Sequence, residues 1–188
     1  MSRTVLVVGG GGREHALCLA LSSSASIDKI HTTPGNAGTQ FYGTNHDVSA
    51  SDIDGLVNLS KLLDVDFVVV GPEAPLCDGL ADRLLEAGIP CFGPQQIHAE
   101  LEGSKLFAKK AMDAAGVPTA DYDVLDASSD LNACLDARSQ EPWVIKRDVL
   151  AGGKGVVVTA DRKEAVAFIQ QSIAVSYTHL RAHETVED

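Results

Sequence analysis

Two lysines flanking a glycine-rich stretch are the clearest chemical signal in the sequence: Val144-Ile145-Lys146, then Ala151-Gly152-Gly153-Lys154-Gly155. Ammonium groups beside a loop without bulky side chains suit a nucleotide triphosphate, because the cations neutralise phosphate charge while the backbone approaches closely. A Walker A loop is excluded, since Asp148 stands where its first glycine belongs and Gly155 follows the lysine in place of Ser or Thr. A hairpin with a glycine-rich tip and a solvated lysine is the plain structural alternative.

A second signal lies near the amino terminus, where Gly9-Gly10-Gly11-Gly12-Arg13-Glu14-His15 follows an apolar strand and opens a helix. Free backbone N–H groups and the positive end of a helix dipole make such a turn a phosphate cradle. A dinucleotide fingerprint fits poorly. Counted from Gly9, the third glycine falls on Glu14; counted from Gly10, it falls on His15. The strand ending at Thr32-Thr33-Pro34 also lacks the carboxylate that would hold a ribose diol. Two further loops, Pro34-Gly35-Asn36-Ala37-Gly38-Thr39 and Gly71-Pro72-Glu73-Ala74-Pro75-Leu76, each follow an expected strand. In an open parallel sheet such loops gather outside the carboxyl ends of the strands, where three of them can meet one small molecule. Glu73, between two prolines, is a rigidly held carboxylate, whereas Pro34 to Thr39 alone could be an ordinary turn.

The elements that must position these loops are short Val- and Ile-rich runs alternating with segments of helical spacing, the pattern of βα units feeding a parallel sheet. Strands are predicted at Val5–Val8, around Lys29–Thr33, at Phe67–Val70 and at Ile89–Phe92. His15–Ser22 and Gly79–Ala87 carry Leu and Ala at three- and four-residue intervals, as crossover helices do. Near Glu100 the character changes. Glu102-Gly103-Ser104-Lys105 opens a helix that runs to about Ala115 and is stopped by Gly116-Val117-Pro118. Trp143–Lys146 and Val156–Thr159 then read as hairpin strands, and a last helix is expected from about Asp161 to Ser172.

The 188 residues allow one domain and the start of another, and 45% hydrophobic with 22% charged residues is an ordinary globular composition. A net charge of -11 argues against nucleic-acid and anionic-membrane partners, which are bound by clustered Lys and Arg. Cys18, Cys77, Cys91 and Cys134 form no CxxC pair, so neither a zinc site nor a redox motif is indicated, and no apolar run suits a membrane span. The expectation is a cytoplasmic protein.

Taken in order, these residues resemble the phosphoribosylamine–glycine ligases, also called glycinamide ribonucleotide synthetases. The resemblance rests on Gly11 to His15, Pro34 to Thr39 and Val70 to Leu76, continued by Phe92-Gly93-Pro94, Leu101 to Lys105 and Gly116 to Ala120. It covers residues 4 to 172. It implies a doubly wound, Rossmann-like α/β domain over residues 1–102 and the incomplete start of an ATP-grasp domain over 103–174. The implied reaction joins glycine to 5-phosphoribosylamine with ATP, through a glycyl phosphate, giving glycinamide ribonucleotide, ADP and phosphate. Lys105, Lys146 and Lys154 are similar to the family's phosphate-holding lysines, with Gly152, Gly153 and Gly155 forming a flap. Gly10, Gly11, Gly12, Arg13, Glu14 and His15, with Pro34 to Thr39 and Gly71, Pro72, Glu73 and Pro75, look like the phosphoribosylamine side. The adenine pocket and the carboxylates for Mg2+ or Mn2+ are implied to lie beyond this chain, which alone should not turn over.

Where the family reads Lys-Ala-Asp-Gly-Leu-Ala-Ala-Gly-Lys-Gly, this chain has Arg147 and Val149 in place of small residues, and Val149 disfavours a positive φ. Residues 175–188, including His179 and His183, break the preceding pattern and read as a foreign, adaptor-derived tail rather than a metal site. Three other readings stay open at this point: another ATP-grasp ligase or carboxylase, a non-catalytic nucleotide-binding module, and a dinucleotide oxidoreductase.

Overall fold

The computed structural model describes residues 3–138, 142–150 and 155–182, with side chains up to residue 174. The chain divides into two compact units, Met1–Gly103 and Ser104–Asp188.

The first unit is a doubly wound α/β domain. Its elements are β1 (Arg3–Gly9), α1 (Gly12–Ser22), β2 (Ile27–Pro34), β3 (Thr44–Asn45), α2 (Ile53–Leu62), β4 (Phe67–Val70), α3 (Ala74–Cys77), α4 (Leu80–Glu86), β5 (Cys91–Phe92) and α5 (Gln96–Gly103). Every strand pair is parallel, in the order β3-β2-β1-β4-β5. Val5, Leu6, Val7 and Val8 are all fully buried because β1 is central and covered on both faces, which is why it reads as a continuous apolar run. Leu6 and Val8 join Leu56 and Leu59 of α2 with Leu80 and Leu84 of α4 on one side. Val5 and Val7 join Cys18 of α1 with Ile30 and Val69 on the other.

This order places β1 between β2 and β4. The turns leaving these three strands therefore emerge side by side at the carboxyl edge, at the point where strand order reverses. The expected strand Ile89–Phe92 is shorter, Cys91–Phe92: Pro90 has no N–H for a ladder, although its carbonyl accepts from Val68 N–H at 2.9 Å. The helix expected to open at Glu102-Gly103-Ser104-Lys105 and run to about Ala115 is found at Lys105–Ala115. A separate helix, α5, precedes it and ends at Gly103, and the extended Ser104 (φ -123, ψ 120) divides the two.

The second unit contains α6 (Lys105–Ala115), α7 (Leu131–Ala137), an antiparallel pair β6 (Trp143–Lys146) and β7 (Val156–Thr159), and α8 (Arg162–Ala182). Ser104 caps α6 by accepting the Phe107 N–H, and Gly116 ends it in the left-handed region at φ 67. Ala165 and Ile169 are buried on α8, which continues to Ala182, past the expected end at Ser172. No helix among the described residues is long and apolar enough to cross a membrane.

Candidate functional site

The turn after β1 is built around Glu14. Glu14, on the first turn of α1, is only 5% exposed, and its Oε2 accepts the Gly11 N–H at 2.6 Å. Gly9 and Gly71 make room for it. A Cβ on Gly9, which has φ 126, would stand 2.6 Å from the Glu14 Cδ, and one on Gly71 would stand 1.9 Å from Oε1. Glu14 thus occupies one of the amides at the start of α1, that of Gly11, and leaves its neighbours. Among the described residues the amides of Gly10, Gly12 and Arg13 donate no hydrogen bond, and nothing within 4 Å fills the space a Gly12 side chain would take.

Arg13 ties this turn to the one after β4. Its guanidinium donates to the Gly71 carbonyl at 2.5 Å and lies 3.8 Å from the exposed Glu73 carboxylate. Asn36 ties it to the turn after β2: Nδ2 donates to the Gly10 and Gly11 carbonyls at 3.1 and 3.0 Å, while Oδ1 accepts the Gly38 and Thr39 amides. Gly10 and Gly35 face each other closely, since a Cβ on Gly10 would meet the Gly35 carbonyl oxygen at 2.8 Å. His15 packs against Gly38 and lies 5.6 Å from the Tyr42 ring, centroid to centroid. All three turns are therefore linked at one edge of the sheet.

Burial divides the expected substrate residues. Gly10, Gly11, Gly12, Arg13, Pro34, Ala37 and Glu73 are exposed; His15, Gly35, Asn36, Gly38, Gly71 and Pro72 are half-buried. Thr39 and Pro75 are fully buried and Glu14 nearly so, so these three shape the turns from behind rather than present an open surface.

One residue of this network escaped the sequence reading. Asn45, on the edge strand β3, donates to the Asn36 carbonyl at 2.8 Å and places Oδ1 2.8 Å from the Thr39 hydroxyl. A Cβ on Gly35 (φ 70) would fall 2.5 Å from the Asn45 side chain. A lone Asn with no periodic neighbours carries no sequence signal for such a role. Beside it, His31 Nδ1 and His46 Nε2 are 3.0 Å apart, and burial first, then the charges of His46 and Lys29, push the His31 imidazole below its ordinary value. Cys18, behind the first turn, has its thiol pushed up chiefly by burial, so it is a packed hydrophobe and not a nucleophilic thiolate.

In the second unit, Lys105 is half-buried and its Nζ donates to the Val149 carbonyl at 3.0 Å. Lys146, at the end of β6 opposite Val156, is exposed, and Gly155 is buried with its carbonyl accepting the Arg147 N–H at 2.7 Å. Gly152, Gly153 and Lys154 lie outside the described residues, as do His183 and the side chain of His179. The substitutions at 147 and 149 are accommodated. Arg147 turns to α8, with Nε 3.0 Å from Ser172 Oγ and the guanidinium 5.2 Å above the Phe168 ring, and Val149 does not have a positive φ. Among the described residues no group of three or more His, Cys, Asp or Glu is placed to hold a metal.

Residues 3–102 match the sequence model of the phosphoribosylglycinamide synthetase N domain, and residues 103–186 that of its ATP-grasp (A) domain. The second match thus includes most of the segment read as foreign. The chain is 50% identical over 163 residues to a phosphoribosylamine–glycine ligase of Streptomyces coelicolor, covering 87% of this chain and 39% of the relative. It is 48% identical over 167 residues to one of Mycobacterium bovis, with 87% and 40% covered. A crystal structure of phosphoribosylamine–glycine ligase from Thermotoga maritima superposes with a TM-score of 0.68 at 31% identity, over 89% of this chain and 38% of that one. The chain therefore spans about 40% of the length of the curated relatives it matches. With both domain matches in order along the sequence, the chain belongs to the phosphoribosylglycinamide synthetase family.

Proposed function

We propose that this chain supplies the first domain and the start of the ATP-grasp domain of a ligase that joins glycine to 5-phosphoribosylamine. The glycine carboxylate takes a phosphoryl group from ATP. The amine of phosphoribosylamine then attacks the acyl carbon and phosphate leaves, giving glycinamide ribonucleotide, ADP and phosphate. Such phosphoryl transfer depends mainly on positioning and charge neutralisation. Lys105, Lys146 and Lys154 are assigned to the nucleotide phosphates, with Gly152, Gly153 and Gly155 beside them. Mg2+ or Mn2+ would neutralise phosphate charge, held by carboxylates from beyond this chain, which by itself is proposed not to turn over. A cytoplasmic location fits this chemistry.

The observation that carries the phosphoribosylamine assignment is the linkage of three strand-end turns by Arg13 and Asn36. It leaves the Gly10, Gly12 and Arg13 amides beside one guanidinium, suited to a sugar phosphate. Glu73 is a candidate partner for the substrate's amine or hydroxyl groups. Amide chemical shifts of this chain, followed while a stable analogue of 5-phosphoribosylamine is titrated in, test the assignment. The expected shifts fall on Gly10, Gly12, Arg13 and Gly71; shifts confined to the second unit would contradict it.

A further inference from the structure

We infer that Asp148 is a positioning residue that fixes Lys105 with respect to Lys146, an inference that rests on the nucleotide assignment above. Asp148 lies just past Lys146 on the segment leaving β6. Its Oδ1 accepts the Leu106 N–H at 3.0 Å, and both carboxylate oxygens lie 3.0 Å from the Ser104 hydroxyl. That hydroxyl oxygen in turn accepts the Phe107 N–H at 3.0 Å. The first turn of α6 is thus closed by two acceptors, its own serine and a carboxylate from a segment 42 residues away in sequence. Lys105 sits between the bonded residues and points its ammonium back at the Val149 carbonyl, 3.0 Å away.

Two consequences follow. The amino end of α6 is already neutralised by Asp148, so this helix dipole is not offered to a phosphate, and contact with a triphosphate falls to the lysine side chains. The same segment is anchored on its other side, where Arg147 reaches Ser172 and Phe168 of α8. Lys146 and the backbone of Lys105 are therefore held to one frame through Asp148. A bond from an amide to a carboxylate is stronger than a neutral one, which suits the position to a fixed strut.

The test is steady-state kinetics of the full-length ligase carrying D148A, K105A, or both. D148A is expected to raise the KM for ATP roughly tenfold, the order set by losing a charge-assisted hydrogen bond, with the KM values for glycine and phosphoribosylamine unchanged. The double variant is expected to be no worse than K105A, because Asp148 acts through Lys105. D148N keeps an acceptor for the Leu106 N–H and should fall between wild type and D148A, so the inference stays testable if D148A folds poorly. An unchanged KM for ATP in D148A and D148N, with K105A impaired, overturns the strut and leaves the nucleotide assignment standing, as do additive effects in the double variant. Unchanged ATP kinetics in K105A overturns both.

Discussion

Gly71→Ala is expected to destabilise the first unit by about 2 kcal/mol and to weaken substrate binding, although Gly71 is not among the glycines with a positive φ. The new methyl group would stand 1.9 Å from the Glu14 Oε1 and 2.6 Å from its Cδ. A side-chain tip can usually move aside, but this one is buried and accepts the Gly11 N–H, so moving it breaks that bond and leaves a carboxylate in a tight space. Losing a charge-assisted bond of this kind costs about 1–3 kcal/mol. For a unit of this size about 2 kcal/mol corresponds to a fall in Tm of roughly 8–16 °C. The clash also displaces the Gly71 carbonyl that receives Arg13, loosening the turn after β4 from the turn after β1. Thermal unfolding of Gly71→Ala, Glu14→Ala and the double variant checks this. The double variant should be no less stable than Glu14→Ala alone; full additivity would mean that Gly71 does not act by making room for Glu14.

Leu84→Ala should cost the first unit about 2–5 kcal/mol, the range for truncating a fully buried leucine. Leu84 has no exposed surface and packs with Leu6, Leu56 and Leu80, whereas its neighbour Leu85 is 63% exposed. Leu85→Ala should therefore change stability by no more than about 0.5 kcal/mol. Denaturant unfolding of the two variants measures the contrast directly. Equal effects would mean that α4 presents a different face to the sheet.

The first unit was largely legible because its central strands are buried on both faces and so read as uninterrupted apolar runs. Phe67–Val70 is matched residue for residue by β4, and Val5–Val8 lies within β1. What escaped was short or polar. β3 spans only Thr44–Asn45, too little for any period, and α7 owes its start to Asp130 rather than to an apolar stripe. α2 lies outside the expected elements, although Asp52 caps it by accepting the Gly55 N–H and Leu56, Val57 and Leu59 are buried on it. Single residues show the same limit. Glycines at 9–12 were legible as a close approach of backbone to an anion, but not that the Glu14 carboxylate occupies part of that space. Local sequence shows that Asp148 spoils a Walker A loop but not its bonds to Ser104 and Leu106, which join segments that no local pattern connects.

We propose that these two units open a glycine-activating ligase. ADP release by the full-length protein, assayed with glycine and 5-phosphoribosylamine each omitted in turn, tests it most directly. Sustained release that requires both substrates, with glycinamide ribonucleotide formed in equal amount, is the predicted result. Release that ignores glycine, or that proceeds with another carboxylic acid in its place, would contradict it.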